Sequence, residues 1–151
     1  MYFIENIKYI KSMANKGKVT IFKGYWTEEG VESTPNSLYV FGDNNVGIGK
    51  GGQAIIRDLP NTIGIPTKKY PSCNKSSYYN DAEIADNIVH IDKAIQSILK
   101  RSKDYKEIVF PADGLGTGLS ELPRRAPKTF AYLVDAVEKL KSQLDNGYVG
   151  M

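Results

Sequence analysis

A chain of 151 residues, 41% apolar and 25% charged, has the makeup of one globular domain large enough to bury a core. A net charge of +3 favours anions but falls short of the basic surface that nucleic-acid binding requires. No apolar run reaches the roughly 18 residues that span a bilayer, the early acid Glu5 argues against a secretory leader, and the single Cys73 allows no internal disulfide, so a reducing, cytoplasmic setting is expected.

Phe3, Ile7 and Ile10 share one face of residues 4–13, which predicts a first helix, ended by Asn15-Lys16-Gly17 and packed on a domain running over 18–151. Lys18 to Phe22 is β-branched and aromatic and reads as a strand. Residues 24–36 read as a loop or small helix, acidic at Glu28, Glu29 and Glu32 and broken by Pro35-Asn36. Ser37 to Phe41 shows little alternation, as in a strand buried on both faces. A polar corner, Asp43-Asn44-Asn45, then leads into Gly47-Ile48-Gly49-Lys50-Gly51-Gly52, and a short helix follows up to Pro60-Asn61. Thr62 to Pro66 reads as a short strand, and residues 67–80, without periodicity, as a surface loop and candidate lid.

Asn80 with Glu83 three residues on resembles a capping box, and Ile84, Ile88, Ile91, Ile95 and Ile98 continue at helical spacing to about Arg101. Glu107 to Pro111 is another short apolar strand, followed by a second glycine-rich loop, Asp113-Gly114-Leu115-Gly116-Thr117-Gly118. Pro123 and Pro127 suit helix starts. Phe130, Leu133, Val134, Val137, Leu140 and Leu144 line one face of a last helix, stopped by Asn146-Gly147. Strands alternating with helices predict an α/β fold with a largely parallel sheet, in which ligands bind outside the carboxyl ends of the strands. Both glycine-rich loops fall on that rim.

The run Gly47 to Gly52 fits G-x-G-x-x-G, but the next strand ends in Ile65-Pro66-Thr67-Lys68, with no acid for a nucleotide ribose. A Walker loop is excluded, because Gly51 follows Lys50 and Asn44 stands at the first glycine position. Two readings remain: loops whose N–H groups cradle a phosphate, or glycines that only make tight turns. His90, the single histidine, falls off the apolar face of its helix, and Cys73 has no histidine near it in sequence. No Cys/His cluster has metal-ligand spacing, so neither a metal nor a cofactor is expected.

Taken together, the pieces resemble a macro domain, the ADP-ribose-binding α/β module, over about Lys18 to Leu144. Val19-Thr20-Ile21-Phe22-Lys23-Gly24-Tyr25-Trp26-Thr27 is similar to the strand leading to the family's Gly-Asp-Ile-Thr element. Val40-Phe41-Gly42-Asp43-Asn44 is similar to the strand ending in Asn-Ala-Ala-Asn, and Gly49 to Ile56 to the Gly-Gly-Gly-Val-Ala-like loop. Phe110 to Gly118 is similar to the second phosphate loop. The resemblance implies a three-layer α/β/α domain with a mixed, mostly parallel sheet. It implies that Asn44 bonds the distal ribose, that Gly51, Gly52, Gln53 and Ala54 line one side of a diphosphate, and that Gly114, Gly116, Thr117, Gly118 and Leu119 clasp the other. Tyr25, followed by Trp26, replaces the aspartate that recognises adenine in the family, so base recognition would rest on stacking, or the base differs. Lys50 interrupts the glycine run and could reach a phosphate.

Some macro-like hydrolases use an aspartate of the second loop, and Asp113 occupies that place, with Asp43 as second candidate and Lys50 as partner. A carboxylate near a glycosidic carbon acts as general base or stabilises oxocarbenium-like charge. The implied partner is an ADP-ribose-type small molecule or an ADP-ribosylated macromolecule, with no membrane. One reading is hydrolysis at the distal ribose, as in an ADP-ribosyl hydrolase or ADP-ribose 1''-phosphatase. The alternative is a non-catalytic reader or sponge of an ADP-ribosylated partner or an NAD-derived signal. A weaker alternative is single-stranded nucleic-acid binding through Lys68, Lys69, Tyr70, Tyr78 and Tyr79.

Overall fold

The computed structural model describes residues 18–145; the helix expected over 4–13 and the stop at Asn146-Gly147 lie outside them. The chain is of the α/β class. Strands β1 (Lys18–Phe22), β2 (Ser37–Asp43), β3 (Thr62–Pro66) and β4 (Glu107–Pro111) form one sheet in the order β1-β4-β2-β3. Each adjacent pair runs parallel, so over the described residues the sheet is wholly parallel rather than mixed. Strand β2 runs two residues further than its apolar run suggests, because Gly42 and Asp43 still pair with Ile65 and Pro66.

The helices are α1 (Glu28–Glu32), α2 (Ile84–Arg101), α3 (Leu122–Arg125) and α4 (Pro127–Asp145). Alternate residues of β2 enter two separate cores. Leu38 and Val40 join Ile108, Phe110 and the apolar faces of α2 and α4, including Ile91, Ile98, Leu133 and Leu140. Tyr39 and Phe41 point the other way, to Trp26, Val31 of α1, Ala54, Ile56 and Val109. A strand that serves two cores has no polar face to alternate with, which is why its sequence is nearly continuous in apolar residues. The helix expected after the first glycine-rich loop is a single 3₁₀ stretch, Gly52–Ile56.

Three local expectations change. Asn80 makes no side-chain cap: a 3₁₀ turn, Asp81–Glu83, precedes α2, and the Asn80 amide donates instead to Glu83 Oε1. On α4, Val134 is 44% exposed while Thr129 is buried. Thr129 takes the inward place because its hydroxyl and N–H both donate to Asp81 Oδ1. The 67–80 loop is not simply a surface segment. Thr67, Lys68, Ser77, Tyr78 and Tyr79 are buried, pinned by an antiparallel bridge between Lys68 and Tyr78. No helix among the described residues is long and apolar enough to cross a membrane.

Two buried or half-buried polar residues fix the amino-terminal side of the sheet. The Asn61 amide donates to the carbonyls of Val31, Thr34 and Ser37, lashing the α1 connection to the start of β2. Replacing it by leucine strands those carbonyls, and Asn61→Leu is expected to lose on the order of 2 kcal/mol in urea denaturation. Glu107 accepts hydroxyl bonds from Ser37 and Thr20, which hold its carboxyl below the usual glutamate range, with Lys18 and Lys106 adding to the effect. Because the folded value is the lower one, this stabilisation is present above the unfolded value of about 4.3 and fades as pH falls through the folded value. Glu107→Gln should therefore destabilise at neutral pH and flatten the acid limb of the stability–pH curve; an unchanged acid limb would contradict the assignment.

Candidate functional site

Strands β2 and β4 pair only as far as Tyr39 with Val109. Beyond that point the backbone groups of β2 that face β4 need other partners, since buried N–H and C=O groups are seldom left unmade. Trp26 Nε1 donates to the Val40 carbonyl at 3.1 Å, and Gln53 Oε1 accepts from the Gly42 N–H at 2.7 Å. The parting of the two strands opens a crevice at the carboxyl rim, the place where open parallel sheets bind ligands. A cavity of about 650 Å³ lies there. The strand order puts Gly24 to Trp26 at one end, Thr67 and Lys68 at the other, and Asp43, Asn44 and Asp113 between.

The first glycine-rich loop is shaped by side chains from its own flanks. Asn44 Oδ1 accepts from the N–H groups of Val46 and Gly47, and its amide nitrogen donates to the Ile48 carbonyl at 2.8 Å. One amide proton of Asn44 stays available to a ligand. Arg57, which the sequence reading passed over, donates to the Gly49 and Ile48 carbonyls and pairs with Asp43 Oδ1 at 2.6 Å. Asp43 also accepts from the Asn44 N–H. Gly64 is needed beside it, since a Cβ there would lie 2.5 Å from Asp43 Oδ2.

Gln53 joins the two loops. Its amide nitrogen donates to the Gly114 carbonyl at 3.2 Å while its carbonyl holds Gly42. In the second loop the Thr117 hydroxyl donates to the Asp113 carbonyl, and Ser120 and Thr67 share a hydroxyl–hydroxyl bond of 2.5 Å. Leu119, 65% exposed, reaches across so that a Cβ on Gly51 or Gly52 would sit 3.2 Å from its Cδ1. Among the described residues, no hydrogen bond engages the N–H groups of Gly51, Gly52 or Gln53, or those of Gly116 to Ser120.

The cavity wall thus includes Tyr25, Trp26, Asp43, Asn44, Gly51, Gly52, Gln53, Ala54, Asp113, Gly116, Thr117, Gly118 and Leu119, all expected there. Two expected residues are elsewhere. Lys50 is not part of the wall; its amine pairs with Glu28 and Asp58, whose hydrogen bonds and charges raise its pKa. Gly114 contributes its carbonyl to Gln53 rather than a surface to the cavity. Tyr25 and Trp26 differ sharply. Trp26 is 7% exposed, its N–H spent on Val40 and its ring stacked on Phe22 and edge-on to Tyr39. Tyr25 is 90% exposed at the cavity mouth.

The polar side chains of the wall are nearly all committed within the protein. Asp43, Asn44, Gln53, Thr67, Lys68, Thr117 and Ser120 each have a partner there; among the described residues Tyr25 and Asp113 have no side-chain hydrogen bond or ion pair. Asp113 is exposed to the cavity. Lys68, counted above only as part of a basic and aromatic loop, is buried in the wall. Burial of Lys68, Tyr78 and Tyr79 also removes most of the exposed rings and charges that stacking of single-stranded nucleic acid uses. His90 is half-buried in a second, shallower cleft behind Asn44 to Gly47, away from the main cavity. No group of three or more His, Cys, Asp or Glu able to hold a metal occurs among the described residues.

The pattern of a family of unknown function, DUF7831, matches residues 21–136, a span that takes in both loops, and the chain belongs to that family. No curated protein and no solved structure matches the chain.

Arg57 is the tie between the first loop and the sheet. Arg57→Met is expected to leave the sheet folded but to speed amide hydrogen exchange at Val46 and Gly47, the loop N–H groups that Asn44 holds, at least tenfold, a local opening of about 1.4 kcal/mol. Exchange unchanged in this segment would show that the loop holds its shape without the guanidinium.

Proposed function

We propose that the cavity binds ADP-ribose or a close relative, with the diphosphate between the two glycine-rich loops, and that Asp113 assists hydrolysis at the distal ribose. The observation that carries the reading is the pair of facing loops in which the N–H groups of Gly51, Gly52, Gln53 and Gly116 to Ser120 have no partner among the described residues, while that of Ala54 is spent on the Gly51 carbonyl. N–H groups bind a diphosphate without a full counter-charge, and glycine lets the main chain come close to it. Gly52 and Gly116, at φ of 57° and 81°, take backbone conformations that other residues adopt only with strain. The cavity volume is within the ordinary range of about 300–1,000 Å³ for small-molecule sites. The match of both loops to the macro-domain pattern supports ADP-ribose over other diphosphates, and a three-layer macro-like architecture is part of the same proposal. Tyr25, exposed and unbonded, suits stacking on the base; Trp26 does not, because its ring belongs to the core.

Asp113 is the carboxylate of the wall left without a side-chain partner among the described residues. In the proposed step it takes a proton from water as the oxygen bonds to the anomeric carbon of the distal ribose. The bond to the leaving group breaks, and that group departs with its electron pair. Asp43 is a weaker candidate, because Arg57 and the Asn44 N–H already occupy its carboxylate. Lys50 is no longer a candidate partner, since Glu28 and Asp58 hold it outside the wall. The alternative, a reader or sponge without turnover, uses the same loops and leaves Asp113 idle.

Calorimetric titration is expected to give saturable heat with ADP-ribose, weaker heat with AMP, and none attributable to the loops after Gly52→Val, which fills the groove beneath Leu119. Asp113→Ala should bind ADP-ribose within about threefold of wild type while turnover of an ADP-ribosyl ester or of ADP-ribose 1''-phosphate falls by about 10²–10⁴-fold. Absence of heat with ADP-ribose removes the ligand assignment. Binding with no wild-type turnover of any ADP-ribosyl substrate selects the reader.

A further inference from the structure

Lys68 differs from the other cations around the cavity. Arg57 pairs with Asp43, Lys50 with Glu28 and Asp58, Lys69 with Glu83, and Arg125 with Glu121. Lys68 is 8% exposed and, among the described residues, has no carboxylate within ion-pair distance. Its amine donates to the Ser72 carbonyl at 2.9 Å and lies 4.2 Å from the centre of the Tyr78 ring. A second cation, the Arg125 guanidinium, lies 3.7 Å from the same ring. Among the described residues one acid, Glu121, serves this cluster, and both Arg124 and Arg125 already donate to it. Burying a charge without an opposite charge is costly, and such groups usually find a counter-ion.

We propose that the β3 end of the cavity is an anion subsite, in which Lys68 supplies the counter-charge to a phosphoryl or carboxylate group that the ligand carries beyond its diphosphate. The proposal rests on the diphosphate reading above, which leaves this end for the far sugar and its substituent. An ammonium has three donors; the Ser72 carbonyl takes one, and the ring face attracts the charge without using a donor. The spare amide proton of Asn44 and the paired hydroxyls of Thr67 and Ser120 belong to the same wall, so an anion there meets hydrogen-bond donors as well as charge. Burial holds the Lys68 amine below the ordinary lysine range against upward pulls from Cys73 and Glu121, and the neighbouring Arg125 charge adds to the lowering. An arriving anion opposes both effects. The substrate class is therefore a diphosphate-linked ribose with a further negative group on the distal sugar, rather than a neutral or cationic adduct.

The test is calorimetry on the full chain with three ligands: ADP-ribose, its distal-ribose phosphate ester, and the acid in which the distal anomeric carbon is oxidised to a carboxylate. Wild type is expected to bind one or both charged ligands at least tenfold more tightly than ADP-ribose; gain with the phosphate ester alone assigns a phosphoryl group, and gain with both assigns anions generally. Lys68→Met should abolish the preference while holding ADP-ribose within threefold, and Lys68→Arg should restore it. Equal binding of all three ligands by wild type, or a preference that survives Lys68→Met, overturns the subsite. The wild-type comparison decides the matter if Lys68→Met fails to fold. If ADP-ribose and both derivatives give no heat, the diphosphate reading has failed instead. The subsite is then judged with inorganic phosphate, which wild type should bind and Lys68→Met protein should not; no binding by wild type, or binding that survives Lys68→Met, overturns it.

Discussion

Everything at the carboxyl rim follows from the early parting of β2 and β4. A parallel pair that ran its full length would close the crevice and satisfy Val40 and Gly42 from the neighbouring strand. Here pairing stops at Tyr39 and Val109, and two side chains from outside the sheet take over. Trp26 serves Val40 and in doing so becomes part of the second core. Gln53 serves Gly42 and, through its other end, Gly114, so one amide both seals the strand and sets the distance between the loops. The crevice is kept open by groups that would be left unpaired if these side chains moved, and an unmade buried hydrogen bond costs about 1–3 kcal/mol.

That arrangement explains what was legible in the sequence and what was not. The four strands could be read closely because each is a short apolar or β-branched run bounded by glycine, proline or asparagine, and such punctuation is local. The two glycine-rich loops were legible for the same reason, and their common rim followed from the parallel order. Gln53 was expected for its backbone, whereas its side chain bridges residues 11 and 61 positions away, contacts that no local pattern encodes. Arg57 was missed because its partners are an aspartate and two carbonyls gathered by a turn. Adjacent Tyr25 and Trp26 could not be separated by composition; only the unpaired Val40 carbonyl decides which ring goes inward. The loop of residues 67–80 was read as surface because it lacks periodicity, yet Lys68 and Tyr78 bury each other through a bridge and a cation–ring contact. The signal that could have found Lys68 is its place two residues past the end of a strand that borders the crevice.

The wall divides its work between backbone and side chain. Most polar side chains lining it are engaged within the protein, whereas main-chain donors of its glycine-rich loops have no partner among the described residues. This suits recognition of a diphosphate, whose charge is spread over several oxygens and is matched by many partial charges better than by one ammonium. Sequence changes at the glycines would then be felt twice, through lost approach of the backbone and through contact with Leu119.

Two aspartates in comparable positions differ sharply in their environments. Asp43 and Asp113 both follow the apolar part of an inner strand and both border the cavity. Asp43 has a guanidinium at 2.6 Å and an N–H on the same oxygen, so its negative charge is already answered and its geometry fixed. Such a carboxylate is already engaged, and turning it toward a ligand would surrender the ion pair. Asp113 has no such partner among the described residues and is exposed in the cavity wall. The cation at the far side, Lys68, is the converse case: a side chain held in the wall with no acid in ion-pair distance among the described residues, beside a loop fastened around it. Along the strand ends the cavity wall therefore carries the Asp113 carboxylate near its middle and the Lys68 side chain at β3. On the proposed reading, a ligand that carries its own negative charge toward β3 is aligned by that arrangement, and stacking of its base on the exposed Tyr25 ring adds affinity without having to set direction.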